Sequence, residues 1–381
     1  MERTPAQDAC FRRALSNMSM WCAGRPSFLR RQIKIRTQLV RLLVSTGLER
    51  STSPTFRYAN RGSSVFLFSS AAASPPHAQR GWCTYERYMS RLGKETAWVE
   101  SERAVEMYGL PAILPPKVVE LGIPDPEAVK LSAPLAPRRF AQLIRGKAFT
   151  NGTDCAVVEE LYTAALQDSF ATRARFRYAE LGWGDCDAME LATVLLELPC
   201  TMLEELNVSG NAIGGAGMQA LTSALSKREA PRLQTLTFAY NLAGDDGAGA
   251  VAAALSSGTF TSLVDLNMGK NNVGASGARL LGTALGAGHV PNLKWLELYR
   301  NPLTSAGVAA IAEALVGLPR LDTLWLHAVE SEDAGAYALA NALSTGAAPN
   351  LGQLRIEGNG LTRDAEQALR ASRGEALKIQ L

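Results

Sequence analysis

The chain has 381 residues, 47 % of them apolar, with 39 lysines and arginines against 36 aspartates and glutamates for a formal charge of +3. A single core stops growing at about 250–300 residues, so the length calls for several domains or for a fold that extends by stacking. The overall charge singles out no class of partner, and no apolar run approaches the ~20 residues that cross a bilayer.

Residues 1–21 read as a short helix around Phe11, Leu15 and Met18, without the apolar stretch of a secretory leader. Six cysteines (Cys10, Cys22, Cys83, Cys155, Cys186, Cys200) lie scattered with no CxxC pair, so reduced thiols and a cytoplasmic location are expected, organelle targeting remaining open. Residues 22–57 change character, with eight basic residues against the single acid Glu49. Three readings compete here: a basic amphipathic helix for a membrane or nucleic acid, a transit segment, or an insertion such as a retained intron. Because Trp21 would run into Tyr58 as helix into strand with nothing missing, the insertion, or a disordered segment, is the expectation. Residues 63–70 (SSVFLFSS) are a buried-strand candidate, and 81–94 show helical spacing through Trp82, Tyr85, Met89 and Leu92.

The strand, loop and Trp82-Cys83-x-x-Glu86 order resembles a segment of Toll/interleukin-receptor (TIR) domains. In enzymatic members the glutamate at the matching position takes part in cleaving NAD, so the resemblance implies Glu86 as a weak catalytic candidate. The competing reading has Trp82 and Tyr85 packing on the strand while Glu86 faces solvent. No counterpart of that family's opening strand is found, which leaves 1–109 as a partial α/β region. Residues 110–138 hold seven prolines, a composition incompatible with a helix or a central strand and expected to form a semi-rigid linker. A helix is expected over 139–145. Asn151-Gly152-Thr153-Asp154 begins another, with an apolar face through Val158, Leu161 and Ala165. The 139–171 segment is expected to form a helical cap on the C-terminal half of the chain.

From Met202 one sentence repeats: Leu203-x-x-Leu206-x-Val208-x-x-Asn211-x-Ile213, then again from Leu233, Leu263, Leu293, Leu321 and Leu351, at spacings of 30, 30, 30, 28 and 30 residues. A degenerate copy with Phe176, Tyr178, Trp183 and Gly184 precedes them, giving about seven repeats over 172–381. A fixed period of this size signals a solenoid. The motif resembles leucine-rich repeats of the long, ribonuclease-inhibitor-like class. That resemblance implies a right-handed α/β horseshoe, with parallel strands inside and helices outside. The apolar pair two apart forms a short strand with one buried face. Asn211, Asn241, Asn271, Asn301 and Asn359 would stack as a ladder, their amides serving backbone groups of the turn and of the adjacent repeat. Val329 and Ser331 break the pattern in the 28-residue repeat, where a local irregularity is expected.

The outward strand positions would line a concave surface. Early repeats carry small polar residues there, whereas later ones gather Trp295, Glu297, Tyr299, Arg300, Trp325, His327 and Arg355, the composition of an interaction hot spot. Other chemistry is faint. Gly247-x-Gly249-x-x-Ala252 imitates a dinucleotide fingerprint that helix packing also explains. Neither Gly93-Lys94 nor Gly146-Lys147 has the upstream glycine of a phosphate loop, and three histidines without a cysteine cluster suggest no zinc site. The first expectation is therefore a non-catalytic scaffold that needs no cofactor and binds another protein on its concave face, with no nucleic acid and no membrane span. Alternatives are a TIR-like NAD hydrolase acting through Glu86, and a regulator like the Ran GTPase-activating proteins, whose repeats look similar but end in an acidic tail that is not seen here.

Overall fold

The computed structural model describes residues 65–68, 79–92, 118–121, 132–149, 152–227, 230–374 and 377–381. The expectations for 1–21 and 22–57 lie outside the described residues. The chain divides into two compact units, with the division falling after Phe170.

In the first unit, β1 (Val65–Phe68) pairs in parallel with β2 (Val118–Leu121), Val65 opposite Val118. β2 lies within the stretch expected to be a linker. It is free of proline, and in a two-stranded sheet it has only an edge to supply, which proline-rich flanks tolerate. Among the described residues this unit has three helices: α1 (Gly81–Leu92), between the two strands in the chain, then α2 (Pro137–Arg145) and α3 (Asp154–Thr172). Pro137 sits in the first turn of α2, where its fixed φ suits the helix and its missing N–H would be unpaired anyway. The buried face of α3 runs through Val158, Tyr162, Leu166 and Phe170, one position round from the face expected through Leu161 and Ala165. The larger rings decide that rotation. Tyr162 stacks on Phe140 at 3.7 Å between centroids, and its hydroxyl donates to the Leu135 carbonyl at 2.8 Å. Tyr88 meets both rings edge-on.

The second unit is a run of strand-plus-helix repeats. Its strands are β3 (Arg175–Arg177), β4 (Glu205–Asn207), β5 (Thr235–Thr237), β6 (Asp265–Asn267), β7 (Trp295–Glu297), β8 (Thr323–Trp325), β9 (Gln353–Arg355) and β10 (Lys378–Gln380). They form one open, unclosed parallel sheet in sequence order. Register is strict: Leu206, Leu236, Leu266, Leu296, Leu324 and Leu354 face one another across successive strands. Between strands run α4 (Asp185–Glu197), α5 (Gly215–Lys227), α6 (Gly244–Ser256), α7 (Ala275–Gly286), α8 (Thr304–Ala314), α9 (Glu332–Ser344) and α10 (Arg363–Arg373). The middle residue of each motif strand and the alanine–leucine face of each helix are buried, as with Leu266, Met268, Ala278, Leu281 and Leu285. Each such leucine contributes about 1.5–3 kcal/mol on burial. No repeat can gain this alone, because its leucines are covered by the next repeat.

The turn out of each strand explains the asparagine column. Just before it the backbone enters the left-handed region in seven consecutive repeats: Glu180, Gly210, Tyr240, Lys270, Arg300, Ala328 and Gly358, with φ between 51° and 72°. Such a residue costs a non-glycine about 1–2 kcal/mol. The following side-chain amide offsets it. Asn241 donates to the carbonyls of Val208 and Phe238 at 2.9 and 2.8 Å and accepts from the Ile213 N–H at 3.0 Å. Asn211 serves Tyr178, Val208, Leu181 and Trp183 in the same way. Every rung therefore bonds its own turn and the turn of the repeat before it. At Val329 the rung is missing. The Leu303 N–H turns back to the Asn301 carbonyl, and Thr304 takes φ 61°, a conformation that Gly244 adopts without strain in an earlier repeat.

Candidate functional site

The helices cover one face of the sheet. The other face carries three rows of side chains, one per strand position, and its character changes along the sheet. At the β3–β4 end the Arg177 guanidinium donates two 2.7 Å hydrogen bonds to Glu205. Toward β6–β9 the rows become aromatic. In the middle row Asn267, Glu297, Trp325 and Arg355 are successive partners. Asn267 Nδ2 donates to Glu297 Oε2 at 2.5 Å, and the Arg355 guanidinium lies 4.7 Å over the Trp325 ring. Arg355 also donates from Nε to Glu357 Oε1 at 2.9 Å.

One residue beyond the strands, Tyr299 and His327 stack at 4.8 Å with their planes 5° apart, and Trp325 lies about 6 Å from each. The stack exists because position 269 is glycine. A Cβ there would stand 2.4 Å from the Tyr299 ring, which leans across the end of β6. We expect Gly269→Ala to push that ring off His327 and to lower stability by about 1–3 kcal/mol, the usual cost of overpacking. A weakened near-ultraviolet circular-dichroism band at unchanged helix content would report it.

His327 is 5 % exposed, and neither ring nitrogen has a hydrogen-bond partner. Burial first, then the positive charges of Arg355 and Arg300, push its pKa down to about 4, while Glu357 pulls the other way. The imidazole is therefore neutral at ordinary pH and behaves as one more flat ring.

A fourth row runs along the left-handed turn positions, where Tyr240, Lys270 and Arg300 follow one another. The Lys270 ammonium sits 4.7 Å over the Tyr240 ring, and Arg300 Nη1 donates to the Tyr240 hydroxyl at 3.4 Å. Lys270 and Arg300 are exposed.

The seven residues expected to form the binding surface thus fall into two groups. Glu297, Tyr299, Trp325 and His327 are 0–5 % exposed, covered by one another, and act as a floor. Trp295, 38 % exposed, and Arg300 reach solvent, with Arg355 half-buried between the groups. Tyr240 and Lys270 join them. Sequence reasoning that stops at the strand positions misses these two, although the 30-residue period puts 240, 270 and 300 in line.

Elsewhere, Glu86 lies on α1, but its side chain is outside the described residues. Its neighbours on α1 do pack: Tyr85 is buried, and Trp82 Nε1 donates to Asp154 Oδ2 at 2.9 Å. Gly247 and Gly249 lie inside α6. A side chain at Gly247 would strike Ala243 and Met218, so helix packing sets its size. No cluster of metal-binding side chains occurs among the described residues, and none of their helices is long and apolar enough to cross a membrane.

A leucine-rich-repeat family model matches residues 200–221 and 261–282. No curated protein matches the chain. Among solved structures, a chain of the yeast Rad7 and Elc1 complex is similar at 12 % identity over 53 % of this chain and 63 % of that one, with a TM-score of 0.25. An internalin (inlF) from Listeria monocytogenes is similar at 13 % identity over 56 % of this chain and 88 % of its own, with a TM-score of 0.18. A TDR receptor is similar at 14 % identity over 58 % of this chain and 49 % of its own, also at 0.18. The recurring motif, the eight parallel strands alternating with helices in an open sheet and the two matched segments agree on a leucine-rich-repeat fold for the second unit.

Proposed function

We propose that this protein is a non-catalytic interaction protein that holds a partner protein against the helix-free face of its sheet, over β6 to β9. What supports this most is the solvent-facing Trp295 on the same sheet face as a group of mutually packed rings, since exposed aromatics and arginines on such surfaces carry most of the binding energy of interfaces. Leucine-rich repeats are commonly used in this way, and the small polar early repeats leave the aromatic end as the natural contact.

The test is affinity capture with the full chain from lysate of the source cells, repeated with the double variant Trp295→Ala and Arg300→Ala. The captured partner is expected to be lost, with affinity down at least about tenfold, while the thermal unfolding curve stays in place because neither side chain is buried. Undiminished capture by the variant would rule out this face as the contact.

A further inference from the structure

The exposed part of the face is cationic, and its cations are arranged rather than scattered. Lys270 and Arg300 occupy the same position in adjacent repeats, and both use Tyr240 as a common platform, one over its ring and one at its hydroxyl. Adjacent strands lie about 4.8 Å apart, so two charges one repeat apart meet carboxylates one or two residues apart on an extended chain. Behind them lie the flat rings of Tyr299, His327 and Trp325, with Arg355 held over Trp325. No acidic side chain interrupts the Tyr240, Lys270, Arg300 row. The carboxylate of Glu357, which acts on His327, is engaged by Arg355.

We propose that the Tyr240, Lys270 and Arg300 row, floored by Tyr299, His327 and Trp325, seats an acidic extended segment of the partner protein. The inference rests on the partner-binding role proposed above and specifies the chemistry of what is bound. Carboxylates pair with Lys270 and Arg300, and apolar or aromatic residues flanking them along the segment lie against the edges of the ring floor. Nucleic acid is the other polyanion such a patch could meet, but phosphate backbones need a longer track of cations. Here the row holds two adjacent cations and no more, with Gly210 and Ala328 at its two ends. Two cations flanked in this way suit a short run of glutamate or aspartate.

The experiment measures binding of the full chain to fluorescent peptides alternating glutamate with tyrosine, to glutamine-for-glutamate counterparts and to a single-stranded oligonucleotide. The acidic peptide is expected to bind at low salt, to weaken as salt rises, and to exceed the glutamine peptide by about tenfold or more. Lys270→Glu with Arg300→Glu should abolish that preference. Arg175→Glu with Arg279→Glu, exposed charges on β3 and α7 that change the net charge by the same amount, should leave it intact and so controls for net charge. Equal binding of the acidic and glutamine peptides, tighter binding of the oligonucleotide, or indifference to the charge reversal would each overturn the inference. If natural-partner capture is still lost on changing Trp295 to alanine, the interaction surface stands while its acidic specificity falls. If capture and peptide binding both ignore these positions, both fall.

Discussion

Replacing Asn301 with alanine is expected to destabilise the repeat domain by roughly 3–5 kcal/mol, more than any single surface change on the same repeats. The side chain is 1 % exposed and makes five hydrogen bonds. Its Oδ1 accepts from the Asn271 and Val273 N–H groups at 2.8 and 3.0 Å. Its Nδ2 donates to the Met268, Leu298 and Tyr299 carbonyls at 2.9, 2.8 and 3.3 Å. Truncation strands two buried donors, each costing about 1–3 kcal/mol when left without an acceptor, and also removes the shared donor to three carbonyls. The left-handed turn at Arg300 then keeps its strain with less to offset it. Urea unfolding checks this, reading the midpoint at constant slope. Asn301→Asp should fare no better, because it keeps the acceptor but turns a second oxygen toward carbonyls. Asn292 is the control. It also bonds across repeats, to the Thr261 carbonyl at 2.7 Å, but at an exposed edge where water replaces the lost partner. Its alanine variant is expected to cost under about 1 kcal/mol. Equal losses at the two sites would show that the ladder does not hold successive repeats together.

The motif spacing made the repeat strands and their helices legible, because a leucine placed every 30 residues must meet its own kind in the next strand. Elements without a local signature were not legible. β10 has one apolar residue, Ile379, between Lys378 and Gln380, and only its pairing with Leu354 defines it as a strand. β2 was masked by flanking prolines that restrict the chain on either side of it without entering it.

At the candidate site the sequence supplied the identity of each row but not which side chains would cover which. Tyr299 is buried because its ring reaches into space left by Gly269, thirty residues earlier, and the two are read together only once the repeats are aligned in register. The left-handed column is similar. It holds glutamate, glycine, tyrosine, lysine, arginine and alanine, so no residue preference announces it. The exposed cations of the face come from that column, and the turn that builds the fold also presents them.

The stability of the repeat domain is expected to fall as pH drops from about 6.5 to about 4, with a share of up to about 3 kcal/mol belonging to His327 alone. Its folded-state pKa is depressed to about 4, so at pH 5 the folded imidazole is neutral while the unfolded one takes up a proton. The unfolded state binds more protons throughout that window, so stability rises with pH across it, is complete above about 6.5 and falls no further below about 4. The groups facing the ring set the sign. Tyr299 covers one face of it, Trp325 lies alongside, Arg300 and Arg355 oppose a positive charge, and Glu357 favours one while itself bound by Arg355. Carboxylates elsewhere titrate in the same range, so the informative quantity is the difference between the natural chain and His327→Phe, which keeps a flat ring against Tyr299. That difference should be nearly level at pH 7 to 8 and shift steadily in favour of the variant between 6.5 and 4.5, measured by chemical unfolding at each pH. A difference that stays level across the whole range would mean that the imidazole is hydrated and charges freely in the folded protein. The ring floor of the face would then be open to water.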